Sequence, residues 1–357
     1  MPATSDQAYQ DLIEQHRSEL HAHCYHMLGS VHDAEDALQE ALLRAWKGLH
    51  GFQGRSSARS WLYKIATNTC LDTIAKRPKQ RVLPFEYGPS TEPLAGPGAP
   101  VTEGIWIEPY PDEMLGIEDG YAAPEASYEM RESVELAFVA ALQHLPPNQR
   151  AVLILREVLG FSAKEVAETL DTTTASVNSA LQRARAAVDE RTPEQSQQAT
   201  LRALGDEELK QIVDRYVEAW EQCDVETVVS MLTEDVSFAM PPLASWFRGR
   251  ESLSVFLAGW PMSGAWRWHA IPVRANGQPA LAFYTWDDDE QAYLPFALNV
   301  LTFRGNQISD VVAFVNRSTE ATEREAYHRW VDEPTDAERL HSAFERFGLP
   351  PRLEAAS

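Results

Sequence analysis

Hydrophobic positions recur at helical spacing in two stretches of this chain and at alternating spacing in a third. Residues 8–77 read as helix almost throughout. Leu38, Leu42, Ala45 and Leu49 line one face behind a capping Ser30, Asp33, Glu35 and Asp36 sit where carboxylates complement a helix start, and the pattern stops at Pro78. Helices return over 130–190. Ser162 followed by Glu165 spells a capping box there, Ala163, Val166, Ala167 and Leu170 share a face, and beyond "DTTT" a second helix carries Val177, Leu181, Ala184 and Val188. Between them, 78–129 holds about nine prolines, several glycines and many carboxylates, the composition of a linker. Its segment "EGIWIEPYPDEML" is less polar than a spacer needs, so Trp106, Ile107 and Tyr110 are expected to dock on another part of the chain.

The class changes near residue 205. Two helices are predicted within 205–232, and "WRWHAIPVRA", "ALAFYTWDDD", "YLPFALNVLTFRG" and "QISDVVAFVN" read as strands, giving an α+β domain over 205–318. The tail, 319–357, returns to helix, with Leu340, Phe344 and Phe347 on a stripe expected to dock on the helical domains.

Charge adds a puzzle. The 357 residues carry a formal charge of −22, divided as about 0 over 1–80, about −9 over 81–130, about −1 over 131–191 and about −12 over the rest. No apolar run is long enough to span a bilayer, and the start of the chain lacks a secretory layout, so a cytoplasmic location is expected. Three distant cysteines argue against disulfides and a zinc module. His16, His21, His23, His26 and His32 do not converge as ligands, because His21 and His23 lie on different sides of a helix, so no metal or cofactor is expected.

Three sets of residues carry candidate chemistry. Asn178, Ser179, Gln182 and Arg183 face away from the apolar stripe of the second helix of a tight pair, the layout that puts amide and guanidinium groups in a DNA major groove; a plain helical hairpin is the alternative. Asp36, Gln39 and Glu40 share an edge suited to a basic partner helix, or simply to solvent. Phe52, Trp61 and Tyr63, interleaved with Arg55, Arg59, Lys64, Lys76, Arg77 and Asn68, match what single-stranded DNA needs, rings to stack bases and cations for phosphates, while most of these aromatics, Trp61 and Tyr63 above all, suit the helical core equally.

These motifs, "DAEDALQEALLRAW", "WLYKIATN" and "LPPNQRAVLILREVLGFSAKEVAETL" around a proline-rich spacer, resemble regions 2 and 4 of a bacterial sigma-70-family factor of the extracytoplasmic-function group. The resemblance implies two all-α domains, a region 2 helical bundle over 8–77 and a region 4 helix-turn-helix over 130–190. By it, Asp33, Asp36, Gln39, Glu40 and Arg44 dock the clamp helices of the largest subunit of core RNA polymerase, whose flap region is a further partner. It gives Phe52, Arg55, Trp61, Lys64, Asn68 and Arg77 the melted −10 promoter element, and Thr174, Ser176, Asn178, Ser179, Gln182 and Arg183 the −35 element. Asn178 stands where many members carry a basic residue and Ala58 where many carry an aromatic or leucine, so no known promoter sequence transfers. Because non-specific DNA affinity comes from phosphate neutralisation, so acidic a chain is expected to bind promoter DNA mainly within holoenzyme.

Residues 205–318 resemble the cone-shaped SnoaL-like α+β fold. That resemblance implies an apolar mouth, here either a candidate ligand pocket of Tyr216, Trp220, Trp246, Trp268, His269, Tyr284 and Phe296 or simply a well-filled aromatic core, and a regulatory role in cis, answering to a small molecule or a protein. His269 with Asp235 or Asp310 could supply acid–base chemistry. The reading is a non-enzymatic sigma factor; a ligand-responsive helix-turn-helix regulator and a cyclase- or isomerase-like enzyme are the alternatives.

Overall fold

The computed structural model describes residues 3–49, 57–77, 80–95, 101, 105–115, 125–315 and 343–354. The chain divides into a helical unit (1–81, 112–118 and 124–194) and a sheet unit (82–111, 119–123 and 195–357).

In the helical unit, α1 (Ala3–Leu28), α2 (Val31–Gly48) and α3 (Ala58–Ala75) pack on one another. Alanines at 34, 37, 41 and 45 keep the buried side of α2 thin, so Tyr25, Met27 and Leu28 of α1 and Leu62, Tyr63 and Cys70 of α3 fill the shared core. The turn from α1 to α2 depends on Gly29 at φ +68°, where its N–H donates to Tyr25 O at 2.7 Å, and on Ser30, whose Oγ accepts from Asp33 N at 3.1 Å. A short α4 (Pro84–Tyr87) belongs to the linker. The second helical group is α5 (Glu125–Val134), α6 (Leu136–Gln143), α7 (Pro147–Leu153) continued by a π-helical turn at Ile154–Val158, α8 (Ala163–Thr169) and α9 (Thr174–Asp189).

The sheet unit begins before the strand-rich stretch. In α10 (Gln197–Leu204), Gln197 both donates to Phe303 O and accepts from Phe303 N at 2.7 Å, and Gln198 donates to Gly277 O at 2.8 Å. These two buried amides tie to the sheet a segment whose polar sequence reads as a joint. Next come α11 (Asp206–Glu221), α12 (Val225–Ser230), β1 (Leu232–Ala239), β2 (Trp246–Arg248), α13 (Arg250–Gly259), β3 (Trp268–Ala275), β4 (Gln278–Asp287), β5 (Ala292–Arg304), β6 (Gln307–Val315) and β7 (Leu353–Glu354). The sheet runs β2-β1-β6-β5-β4-β3 with β7 on β5; β1 and β6 are parallel and the other pairs antiparallel. Residues of α11 and α13 (Tyr216, Trp220, Leu253, Phe256) share one apolar cluster with Phe238, Leu281, Phe283 and Leu301 of the strands. Strands β1 and β2 escape the sequence reading because two consecutive exposed carboxylates, Glu234 and Asp235, interrupt the period-two pattern of β1, and β2 has three residues.

The tail differs from expectation. Leu340 lies outside the described residues, while Phe344 and Phe347 are buried within the sheet unit, Phe344 edge-on to Tyr284 at 5.3 Å.

The linker is not a bare spacer either. Val82 and Trp106 form a parallel bridge, Pro111 and Ala275 an antiparallel one, and Trp246 Nε1 donates to Gly88 O at 2.8 Å while Thr91 N donates to Trp246 O at 2.7 Å. Tyr110 and Asn276 exchange two bonds, Tyr110 N to Asn276 Oδ1 at 2.9 Å and Asn276 N to Tyr110 O at 2.8 Å. Ile105, Trp106, Ile107 and Tyr110 are buried, so the aromatics that were too apolar for a spacer become part of the sheet unit's core.

Candidate nucleic-acid interface

In α9 the 3.6-residue period sorts the side chains. Val177, Leu181, Ala184 and Val188 are buried; Thr174, Ser176, Asn178, Ser179, Gln182 and Arg183 are exposed. Two caps aim this helix. Ser162 and Glu165 close the capping box of α8, with Glu165 N donating to Ser162 Oγ at 3.2 Å and Ser162 N to Glu165 Oε2 at 2.9 Å, bonds that hold the Glu165 carboxyl below its ordinary range. Thr173 caps α9, accepting from Ser176 N at 3.1 Å, and Asp171 makes the intervening turn at φ +48°, a conformation Asp tolerates.

On α2, Asp36, Gln39 and Glu40 form an exposed edge, with the Asp36 side chain 68% and that of Glu40 51% accessible. Leu43 and Trp46, also exposed at 55% and 45%, extend this edge by two turns. Sequence reading missed them; the signal was two apolar residues off the buried stripe. Arg44 donates to Glu40 Oε1 at 2.8 Å and Asp72 Oδ2 at 2.9 Å, bonds that raise its pKa further. Asp33 is not part of the outward edge: it lies under Arg77 and Arg81, which both pair with its carboxylate.

The basic and aromatic set splits similarly. Phe52 and Arg55 lie outside the described residues. Trp61 and Asn68 are half-buried on α3, Arg77 is committed to Asp33, and Lys64 Nζ donates to Glu168 O at 2.6 Å and Asp171 Oδ1 at 3.0 Å. Beneath them, His23 pairs with Thr67 Oγ1 at 2.9 Å; burial, then the neighbouring His26, pulls its pKa down to about 3, and burial pulls His26 down to about 4.

In the sheet unit Trp220, Trp268 and Phe296 line a cavity of about 30 Å³ with Asn299, room for a water or two at roughly 10–15 Å³ each. Tyr216 is buried in the core without lining it; Tyr284 donates to Pro350 O at 2.9 Å; Trp246 holds the linker. His269 is exposed and lies 3.0 Å from Glu221, whereas Asp235 pairs with Arg304 at 3.1 Å and Asp310 accepts from Ser237 and Ser309, so the structure does not bring the proposed acid–base pairs together. Among the described residues no group of three or more His, Cys, Asp or Glu is placed to hold a metal ion, and no helix is long and apolar enough to cross a membrane.

Comparison with known proteins decides what these surfaces belong to. The family description "Sigma-70 region 2" matches residues 12–80, "Sigma-70, region 4" residues 135–188 and "SnoaL-like domain" residues 213–311. The ECF RNA polymerase sigma factor SigG of Mycobacterium tuberculosis (strain CDC 1551 / Oshkosh) is 43% identical over 305 residues, 85% of this chain and 80% of that protein. The chain belongs to the ECF sigma factors. The ECF sigma factor SigW of Bacillus subtilis is 29% identical over 181 residues, 51% of this chain and 87% of its own. The crystal structure of Mycobacterium tuberculosis SigJ, an extracytoplasmic-function sigma factor, aligns with a TM-score of 0.54 at 22% identity, covering 89% of this chain and 98% of that one, so the three-domain fold is shared. This sigma factor therefore joins helical region 2 and region 4 domains to a C-terminal SnoaL-like α+β domain.

Proposed function

We propose that this sigma factor docks core RNA polymerase through the exposed edge of α2, presents α3 to the melted −10 strand and reads the −35 element with α9, and that its SnoaL-like domain controls initiation in cis. The observation that carries the DNA-reading assignment is the sorting of α9: six polar residues outside, four apolar ones inside, on a helix capped at its turn. A major-groove reader needs such a surface, because each base edge is distinguished by donors and acceptors that amides and guanidinium groups can meet in pairs. Asn178→Ala is expected to cost about 1–3 kcal/mol in discrimination at one −35 position while leaving other positions unchanged. Transcription by holoenzyme across a randomised promoter library measures this; uniform loss at every sequence would mean a phosphate contact instead.

The in-cis reading is supported by the linker. The segment connecting the two sigma domains is held by the SnoaL-like domain through Trp246, Asn276 and the buried Trp106 and Tyr110. Any ligand, protein or mutation that changes this grip changes how far apart the two sigma domains can move. Asn276→Gly keeps the left-handed backbone at φ +56° but removes the acceptor for Tyr110 N. Transcript yield from a fixed promoter with core polymerase is expected to change in this variant, and an unaltered yield with a released linker would remove the cis-control reading. The cone's cavity, about 30 Å³, holds no more than a water or two, so control through a bulky ligand would need a site other than the cone mouth.

A further inference from the structure

Of the two arginines on α9, one is held by a carboxylate from a neighbouring helix. Helix α7 runs into the π-helical turn at Ile154–Val158, where Leu159 N donates to Ile154 O at 3.0 Å and Phe161 N donates to Leu155 O at 2.9 Å. On that turn Arg156 folds back to donate to Phe161 O, and Glu157 reaches across to α9, its Oε1 accepting from Arg185 Nη2 at 2.7 Å. One residue added to a helix turns the following face by about 100°, so the π-turn decides which way Glu157 points.

Arg185 stands in register with the proposed base readers. Asn178, Gln182 and Arg185 follow at i, i+4 and i+7, which places them in one row along α9, and all three are exposed. At about 1.5 Å per residue, Arg185 lies about 10 Å further along the axis than Asn178. The major groove is about 12 Å wide, and the residues that meet base edges are those at the start of a reading helix. A guanidinium about 10 Å beyond them meets the phosphate wall of the groove and not its floor. Its planar fork of donors suits a phosphate there.

Magnitude decides what the Glu157 contact does. The Arg185 and Glu157 side chains are 55% and 38% accessible, and an ion pair so exposed adds little to stability. It is not what anchors α9, because Val177, Leu181, Ala184 and Val188 already bury one face of that helix. Its effect on a third charge is larger. With the carboxylate beside it, Arg185 offers an approaching phosphate almost no net charge, and the phosphate must displace Glu157 and then stay near it. Arg183, two positions earlier, has no ion-pair partner among the described residues, so one arginine of the helix stays available while the other is held.

We propose that Arg185 is a phosphate contact of the reading helix and that Glu157 is its counter-charge, set to lower the affinity of region 4 for duplex DNA of any sequence. The proposal rests on assigning α9 to the −35 element. Phosphates recur identically along every duplex, so the cost that Glu157 imposes is the same on all of them. Only a site whose bases meet the amide, hydroxyl and guanidinium groups of Asn178, Ser179, Gln182 and Arg183 recovers it. Such a helix reads bases while gripping the backbone weakly, which suits a chain that meets promoters in the company of polymerase.

Retention of holoenzyme, assembled from core polymerase and the full-length chain, on promoter duplex and on duplex with a scrambled −35 element tests this. Arg185→Ala is expected to weaken retention about tenfold at about 50 mM salt and about threefold at about 200 mM, a salt dependence shallower by about one contact. Arg185→Lys keeps the charge and should keep the salt dependence. Glu157→Gln, nearly isosteric and uncharged, is expected to tighten retention about threefold on both duplexes alike. Both positions are exposed, so the thermal melts should match that of the unaltered chain. A structural tie would make both Glu157→Gln and Arg185→Ala weaken retention, and that result overturns the proposal. So does an unchanged salt dependence in Arg185→Ala, or a Glu157→Gln variant that binds no tighter or tighter on one duplex only. If unaltered holoenzyme retains both duplexes equally, the assignment of α9 to the −35 element itself fails, which separates the two claims.

Discussion

Acidifying the protein from about pH 7.5 to about pH 5 is expected to remove about 4 kcal/mol of stability from the helical unit. The cause is the pair of buried histidines on α1. In the folded chain His23 and His26 titrate near 3 and near 4, so both stay neutral through this range, whereas in the unfolded chain both protonate below their ordinary 6.5. The unfolded state therefore binds up to two more protons, and stability falls as pH drops below about 6.5, at up to about 2.7 kcal/mol per pH unit. The contribution is fully present above the unfolded pKa and is lost as pH falls toward the folded values. Around these rings lie Tyr63, edge-on to His23 at 5.3 Å, and Thr67, 2.9 Å from its Nε2, with no carboxylate among these contacts to hold a proton in place. Denaturant melts of the full chain across this range measure the slope. The paired variant His23→Gln with His26→Gln should flatten it even if its stability at neutral pH is lower; an equally steep slope would place the acid sensitivity elsewhere.

Reversing the charge of the α2 edge, with Asp36→Arg and Glu40→Arg together, is expected to weaken core polymerase binding about 100-fold, about 2.7 kcal/mol, if the edge meets a basic helix. Both side chains are more than half exposed, so the substitution should leave the thermal melt nearly unchanged. Part of the attraction is screened, and the difference between the two proteins should shrink as salt is raised. Leu43 and Trp46 beside the carboxylates supply an apolar contact that salt does not screen. Co-purification with core polymerase at two ionic strengths reads both effects. Equal retention of variant and unaltered protein would move the docking surface away from α2.

Much of the molecule was legible because local rules suffice for it. The box at Ser162 and Glu165, the caps at Ser30 and Thr173, and the two stripes of α8 and α9 each depend on residues within one or two turns, and all stand in the structure. The four long strands were legible from aromatic and β-branched runs between turn residues. Engagement of individual polar side chains was not. Asp33 and Asp36 look equivalent on the helix start, yet one lies beneath two arginines from beyond α3 and the other faces outward. Lys64 reads as a cation awaiting a phosphate, and its partners stand more than 100 residues along the chain. His269 and its supposed aspartates fall on strands whose register separates them.

The sequence by itself determined the helix periods, the caps, the change of class near residue 205 and membership of the sigma family, because each is written in neighbouring residues or in motifs of fixed spacing. Tertiary structure alone decided that the apolar linker segment becomes part of the SnoaL-like domain, that aromatic side chains nearly fill the cone, and that region 4 closes over α3. A repeating pattern states which face of an element must leave water, but the surface that covers it is chosen by long-range packing, among partners the pattern does not name.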